Sequence, residues 1–337
     1  MKISHNSSLK KYNTFGIDVD AKTFISVESL DELKAVLIKY HGEELFVLGG
    51  GSNMLLTRNI DATVIQIGLK GKYIIKESKE EVFIEVSAGE NWHEIVLWTL
   101  KNNWGGFENL SLIPGNIGTA PIQNIGAYGT EIKDTLVSLK AIEIQTQEVK
   151  EFSNDDCNFG YRDSIFKNQV KGKYIIISAT FRLTKIDHNI KINYGNIHHE
   201  LEEMGIQVPT IQDVSNAVIK IRREKLPDPA ELGNSGSFFK NPIITADHVK
   251  DLKEKYPEIP HYEVEENEYK IPAGWLVEKA GLKGYREGDA GVHKNQALVL
   301  VNYGKATGEE ILNLAKRVQK EVFNKFQIDL QPEVNIF

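Results

Sequence analysis

The chain has 337 residues, 41% of them hydrophobic and 26% charged, with a formal net charge of −7. That length exceeds one simple core and implies two or three packed units. The acidic balance argues against a nucleic-acid or anionic-membrane partner, since both require a basic face. A single cysteine, Cys157, rules out an intramolecular disulfide. The sequence opens on no signal peptide and contains no apolar run long enough to span a bilayer, so a cytoplasmic protein is expected.

In chain order, "AKTFISVES" reads as a strand and "LDELKAVLIKY" as a helix, on the spacing of Leu30, Leu33, Val36 and Leu37. "ELFVLGGGSNMLLT" gives strand, three glycines and strand again. Short strands follow in "ATVIQIG" and "KYIIKESKEEVFIEVSAG", then a helix in "NWHEIVLWTLKNN". Residues 111–134 suit neither element. "LVSLKAIEIQT" and "KYIIISATFRL" close an α+β half. Beyond a change of character at 205–212, "IQDVSNAVIKIRREKL" is helical until Pro227 stops it, and "PAGWLVEKAGLKG" is a second helix. "QALVLVN" is a buried strand. Thr307 and Glu310 form a capping box for a helix reaching about Phe326, before the strand-like tail "LQPEVNIF".

Two glycine loops carry the first functional signal. Gly49, Gly50 and Gly51 directly follow a strand, where backbone N–H groups can converge on a phosphate without Cβ obstruction. Met54 stands where a dinucleotide fingerprint would have its third glycine, so this is no Rossmann loop, and no Lys-Ser/Thr follows as in a Walker loop. Alone, it is equally a glycine hairpin. "SLIPGNIGTAPIQNIGAYG" adds a second loop, with few charges, two prolines and the amides of Asn116, Gln123 and Asn124. Two donor-rich loops suit a ligand with two phosphates and a large aromatic head, a dinucleotide held outside a Rossmann fold.

Several motifs then occur in a recognisable order: "NTFGIDVDAK", "GGGSN", "IPGNIGTAPIQNIGAYG", "GYRDSIFK", "LPDP", "GNSGSFFKNP", "IPAGWLVEKAGLKG" and "QPEV". From about residue 13 onward the chain resembles the UDP-N-acetylenolpyruvoylglucosamine reductases. The resemblance implies an α+β fold. A two-lobed FAD-binding domain of the vanillyl-alcohol oxidase and p-cresol methylhydroxylase type is expected over 1–210, with lobes of about 1–68 and 69–210. A smaller α+β substrate-binding domain over 211–327 and a tail over 328–337 returning to the active site complete it. "KINYGNIHHELEE" resembles the loop that carries a substrate-covering tyrosine, Tyr194, in the family's longer type. Asn335 departs from the basic residue that several members carry.

The resemblance also implies FAD, bound non-covalently, and NADPH as reductant. FAD is assigned to Gly49, Gly50, Gly51, Ser52 and Asn53 of the first loop, and to Pro114, Gly115, Gly118, Thr119, Gln123, Asn124, Gly126 and Ala127 of the second. The substrate is an enolpyruvyl nucleotide sugar, whose double bond is polarised by its own carboxylate. Hydride addition at the methylene carbon throws negative charge towards that carboxylate, so the site needs fixed donors there and a proton donor over the adjacent carbon. Arg162 is the natural grip, because a guanidinium stays charged and forks onto a carboxylate. Glu333 is a second candidate, if protonated or bridged by water. Ser237 is the proton donor. Its setting is no nucleophile elbow, since it replaces the final glycine of G-x-S-x-G.

Tyr194, Arg222, Lys225 and Asn241 are assigned to the nucleotide diphosphate and its neighbours, with Tyr128, Tyr161 and Gln296 as further substrate contacts. Taken singly, each of these residues is better explained by a solvated or structural role. The nine histidines show no ligand spacing, and His198-His199 reads as a surface pair, so no metal is expected. No obligate protein partner is evident. Two rival functions remain open: an oxidase of the same fold that passes electrons to oxygen, and a non-catalytic binder of FAD or a nucleotide sugar.

Overall fold

A computed structural model describes residues 1–337. The chain sorts into two compact units, neither of them a single stretch. The first comprises Met1–Ser7, Ala21–Gly50 and Ile60–Glu224; the second comprises Ser8–Asp20, Gly51–Asn59 and Lys225–Phe337.

Parallel strands need a crossover, and the first unit supplies one. Asp20–Val27 leads through helix α1 (Leu30–Lys39) to Leu45–Leu48, and both strands flank Ile60–Ile67 in parallel. Ser29 caps α1 by accepting from Glu32 N at 3.2 Å. The apolar stripe of α1, Leu33, Val36 and Leu37, packs on Ile25, Val27, Ile65 and Ile67, all buried. A second, antiparallel sheet runs in the order Val149–Ser153, Leu136–Glu143, Tyr174–Thr184, Glu81–Ser87, Lys72–Glu77. Val82, Ile84 and Val86 alternate inward with period two and meet helix α2 (Trp92–Lys101). Trp92, Phe107 and Phe181 anchor this core, the last two edge-to-face at 5.1 Å.

"IHHELEE", expected to be part of a loop, forms helix α3 (Ile197–Glu203). Its Ile197 and Leu201 bury against Val214, Ala217, Val218 and Ile221 of helix α4 (Ile211–Lys225). Tertiary burial thus makes a helix of a segment too short to form one alone. The same packing draws Ile211–Glu224, expected to open the substrate-binding domain, into the first unit. His198 and His199 are exposed and face Glu202 and Glu203 one turn on, each at 3.5 Å.

In the second unit Gly233–Ser237, Val299–Asn302, Ala290–Val292 and Arg286–Glu287 form one sheet. Helices α5 (Ala246–Lys255), α6 (Ala273–Lys279) and α7 (Gly308–Phe326) belong here too. The Thr307/Glu310 capping box of α7 is present in both directions. Tyr256, Trp275 and Phe326 pack as a ring cluster with centroids 5.2 to 5.9 Å apart. The early segments are built in closely. A Cβ on Gly308 would lie 1.8 Å from Leu56 O, and one on Gly233 would lie 2.3 Å from Phe15 O. Asn335–Ile336 of the tail pairs in parallel with Met54–Leu55.

Candidate active site

In the first unit the two glycine loops touch. A Cβ on Gly50 would stand 2.9 Å from Gly115 Cα and 3.1 Å from Asn116 Oδ1, and one on Gly49 would stand 2.4 Å from Thr119 Cγ2. Only bare backbone allows this approach, so neither position tolerates a side chain without displacing the other loop. The second loop is held from behind by residues 88–93. Gly118 N donates to Ala88 O (2.9 Å), Ile117 N to Glu90 O (2.9 Å) and Trp92 N to Gly115 O (3.0 Å). The result is a shallow cradle of backbone groups, which fits the pyrophosphate region of a dinucleotide.

Asn124 has a different role from the one expected. Its side chain is fully buried and donates to Glu131 Oε2 (3.0 Å) and Gly160 O (2.9 Å), while Oδ1 accepts from Lys133 N (3.3 Å). With φ at +43° it pins the loop's far end as scaffold, rather than offering its amide to a ligand. Gln123 before it and Gly126 and Ala127 after it are only half-buried, whereas Pro114 at the loop's start is exposed.

Arg162 lies beside Gly126. Its Nη2 donates to Gly126 O at 2.5 Å, and a Cβ on Gly126 would crowd Nη1 at 2.9 Å. Arg162 (φ +54°) and Tyr128 (φ +49°) both occupy left-handed backbone, which costs non-glycine residues about 1–2 kcal/mol each. Two strained residues supplying candidate site groups in one unit is the pattern expected where position matters more than stability. Tyr161 is exposed, with the Arg162 guanidinium 5.4 Å from its ring centre. Tyr194 is exposed, and Gly129 and Gly195 keep its segment and that of Tyr128 side by side. Asn109 ties these two segments, donating to Tyr128 O (3.0 Å) and Lys191 O (2.8 Å).

Arg222 joins this group. Its Nε is buried and has no hydrogen-bond partner. Burial pulls its pKa down, the Arg162 charge adds to the fall and Tyr128 opposes it. Burial also pushes the Tyr128 phenol up, against the pull of Arg222. A buried cationic atom without a partner, near a second guanidinium, is unfinished electrostatics. An anion would complete it. Lys225 closes α4 and is exposed.

Within the second unit, Ser237 ends its strand at a break in pairing register between Asn234 and Ser237. Gly236 turns there at φ +70°, and its N–H donates to Asn234 Oδ1 at 2.9 Å. Phe238 and Phe239 plunge into the core with centroids 5.1 Å apart. "GNSGSFFKNP" is thus a strand that ends in a bend, with a half-buried serine at its last position and two buried rings after it. The tail runs alongside. Glu333 N donates to Phe238 O (2.8 Å), and Lys240 N donates to Gln331 O (2.9 Å). Asn53 Nδ2 reaches Glu333 O (3.4 Å), and Asn335 Nδ2 donates to Asn53 O (2.9 Å). Gly51, at φ +62° beneath Tyr12 O, makes the adjoining turn through Ser52.

Asn241 and Gln296 each lie against the first residues of α6. Asn241 Oδ1 accepts from Ala273 N (2.9 Å), which leaves the Asn241 NH2 as its donor group, and Gln296 Oε1 would lie 3.0 Å from a Cβ on Gly274.

Two family models match the chain: an FAD binding domain over residues 21–153, and the UDP-N-acetylenolpyruvoylglucosamine reductase C-terminal domain over residues 228–337. A curated UDP-N-acetylenolpyruvoylglucosamine reductase of Flavobacterium johnsoniae is 62% identical over the whole of both chains. One from Pseudomonas putida is 48% identical, covering 98% of this chain and 97% of its own. Among solved structures, the UDP-N-acetylenolpyruvylglucosamine reductase of Thermus caldophilus shares the fold at 24% identity and a TM-score of 0.71, over 100% of this chain and 99% of that one.

Proposed function

This chain belongs to the UDP-N-acetylenolpyruvoylglucosamine reductase family, and from that premise we propose that NADPH is its electron source and that Ser237, Arg162 and Glu333 carry the reaction. It is a flavin oxidoreductase that reduces the enolpyruvyl ether of UDP-N-acetylglucosamine to UDP-N-acetylmuramate, a peptidoglycan precursor. Bound FAD would supply the two-electron carrier between nicotinamide and substrate, held without a covalent link by residues 49–53 and by Pro114, Gly115, Gly118, Thr119, Gln123, Gly126 and Ala127, with Asn124 bracing the second loop. The rest of the chemistry falls to the chain.

The observation that supports the substrate reading best is the buried, unpartnered Arg222 Nε in the electrostatic reach of Arg162. Two cations so disposed suit a carboxylate whose negative charge grows during reaction. Arg162 grips the carboxylate oxygens with its fork, and Arg222 adds a second positive charge behind it. Ser237 Oγ delivers a proton to the carbon beside the carboxylate and regains one from solvent or a neighbour, with Glu333 steadying the developing charge. Tyr128, Tyr161, Tyr194, Lys225, Asn241 and Gln296 hold the nucleotide sugar. A cytoplasmic setting goes with a soluble nucleotide substrate.

Mixing the purified protein with NADPH, with and without the enolpyruvyl nucleotide, tests this. Oxidation of NADPH in proportion to added nucleotide is expected, and none in its absence. Peroxide formed in air would indicate an oxidase, and nucleotide binding without any oxidation a non-catalytic binder.

The cradle makes its own prediction. Gly50→Ala forces a methyl against Gly115, an overpacking that costs typically 1–3 kcal/mol. Affinity for FAD should fall about tenfold or more. Flavin absorbance relative to protein absorbance after gel filtration measures it, and a full flavin complement in the variant would remove this loop from the site.

A further inference from the structure

His93, the second residue of α2, belongs to the segment that supports the flavin loop, and neither the sequence motifs nor the mechanism uses it. Its Nδ1 accepts from Leu112 N at 2.9 Å. Leu112 is not a glycine, yet its φ is +59°. It stands two residues before Pro114, where the chain leaves the Trp92 Nε1→Leu110 O bond (2.9 Å) and swings out into the cradle. From Leu110 to Gly118, residues 88–93 hold this loop by five hydrogen bonds. Of the groups that make them, the imidazole alone can change its charge.

We propose that His93 is a positioning residue for the flavin loop: its unprotonated Nδ1 holds Leu112 in the left-handed turn from which the cradle departs, so that retention of FAD depends on a neutral ring. This inference rests on the flavin reading above. An imidazolium has no lone pair at Nδ1, so protonation turns the acceptor into a donor facing a donor, and Leu112 is released from a conformation it otherwise disfavours. The surroundings keep the ring neutral at ordinary pH. Burial lowers its pKa; Glu94 on α2 opposes this, while Arg222 and Arg223 of α4 reinforce it. The folded value is thus below that of a free histidine, about 6.5. The hold is complete above that pH and is lost as pH falls through the depressed value.

The test is the release of FAD from the holoprotein. Free-flavin fluorescence is read in ultrafiltrates between about pH 8 and about pH 5, for wild type, His93→Asn and His93→Leu, with circular dichroism reporting the fold. Asparagine can place an oxygen near the Nδ1 position and does not titrate. Wild type should bind tightly at high pH and weaken on the order of tenfold or more on acidification. The Asn variant should keep most of the affinity with a flattened pH profile, and the Leu variant should be weak throughout. A wild-type profile that is flat, or an Asn variant as pH-dependent as wild type, overturns the proposal even if the Leu variant does not fold. Failure of wild type to bind FAD at about pH 8 would overturn the flavin reading, and this inference with it.

Discussion

Ser237→Ala is expected to leave reduction by NADPH almost unchanged while slowing the reduction of the enolpyruvyl group by roughly 10²–10⁴-fold, the range of a positioned general acid. The first half-reaction needs no proton from this hydroxyl; the second cannot finish without one. The structure makes the substitution clean. The bend is set by Gly236 and the Asn234 side chain, and the following phenylalanines anchor it, so alanine removes Oγ and little else. Rapid anaerobic mixing of the pre-reduced variant with substrate, monitored by flavin absorbance, isolates the step. Ser237→Cys should recover part of the rate, since a thiol also donates. Reoxidation of the alanine variant at the wild-type rate would leave Ser237 as a turn residue only.

Arg162→Lys should lower turnover on saturating substrate by on the order of 10²-fold or more, as when one oxyanion donor is lost. Lysine keeps the charge, but a single ammonium cannot donate to Gly126 O and grip two carboxylate oxygens in one plane. The strained backbone at Arg162 suits the arginine's fixed approach and gains lysine nothing. Flavin content should stay normal, which separates the effect from collapse of the loop. Unchanged turnover would take Arg162 out of the mechanism.

Much of this was legible in the sequence, because glycine, proline and capping residues mark elements locally. The Thr307 box, the two loops and the alternating strands all read directly. The burial of Arg222 was visible in its register: Val214, Val218 and Arg222 fall four apart, which puts the guanidinium on the buried stripe of α4 within Arg162's field rather than on an open face. His93 sits in the same way, in line with Val96 and Leu100 on α2. A polar residue in step with an apolar stripe is the signal that was available. Helix α3 had no such signal, since it exists by packing on α4. The make-up of the two units was also hidden, because contacts between distant segments leave no local trace.

That make-up bears on how the chain comes off the ribosome. Residues 1–7, 21–50 and 60–224 are all present once the first unit's last residue emerges, but Ser8–Asp20 and Gly51–Asn59 belong with residues that are translated much later. Thr57, whose N–H and hydroxyl both bond Phe337 O, is 280 positions ahead of its partner. At about 5–20 residues per second, that separation is a wait of roughly 15 to 55 s. Until Lys225 and its successors emerge, which takes up more than half of that wait, Leu9, Phe15, Ile17, Leu55 and Leu56, all buried in the finished protein, have none of their late partners to cover them. The nascent chain therefore carries two short greasy stretches through most of its synthesis, and a holding chaperone that masks them should raise the yield of active protein more than one that acts after release.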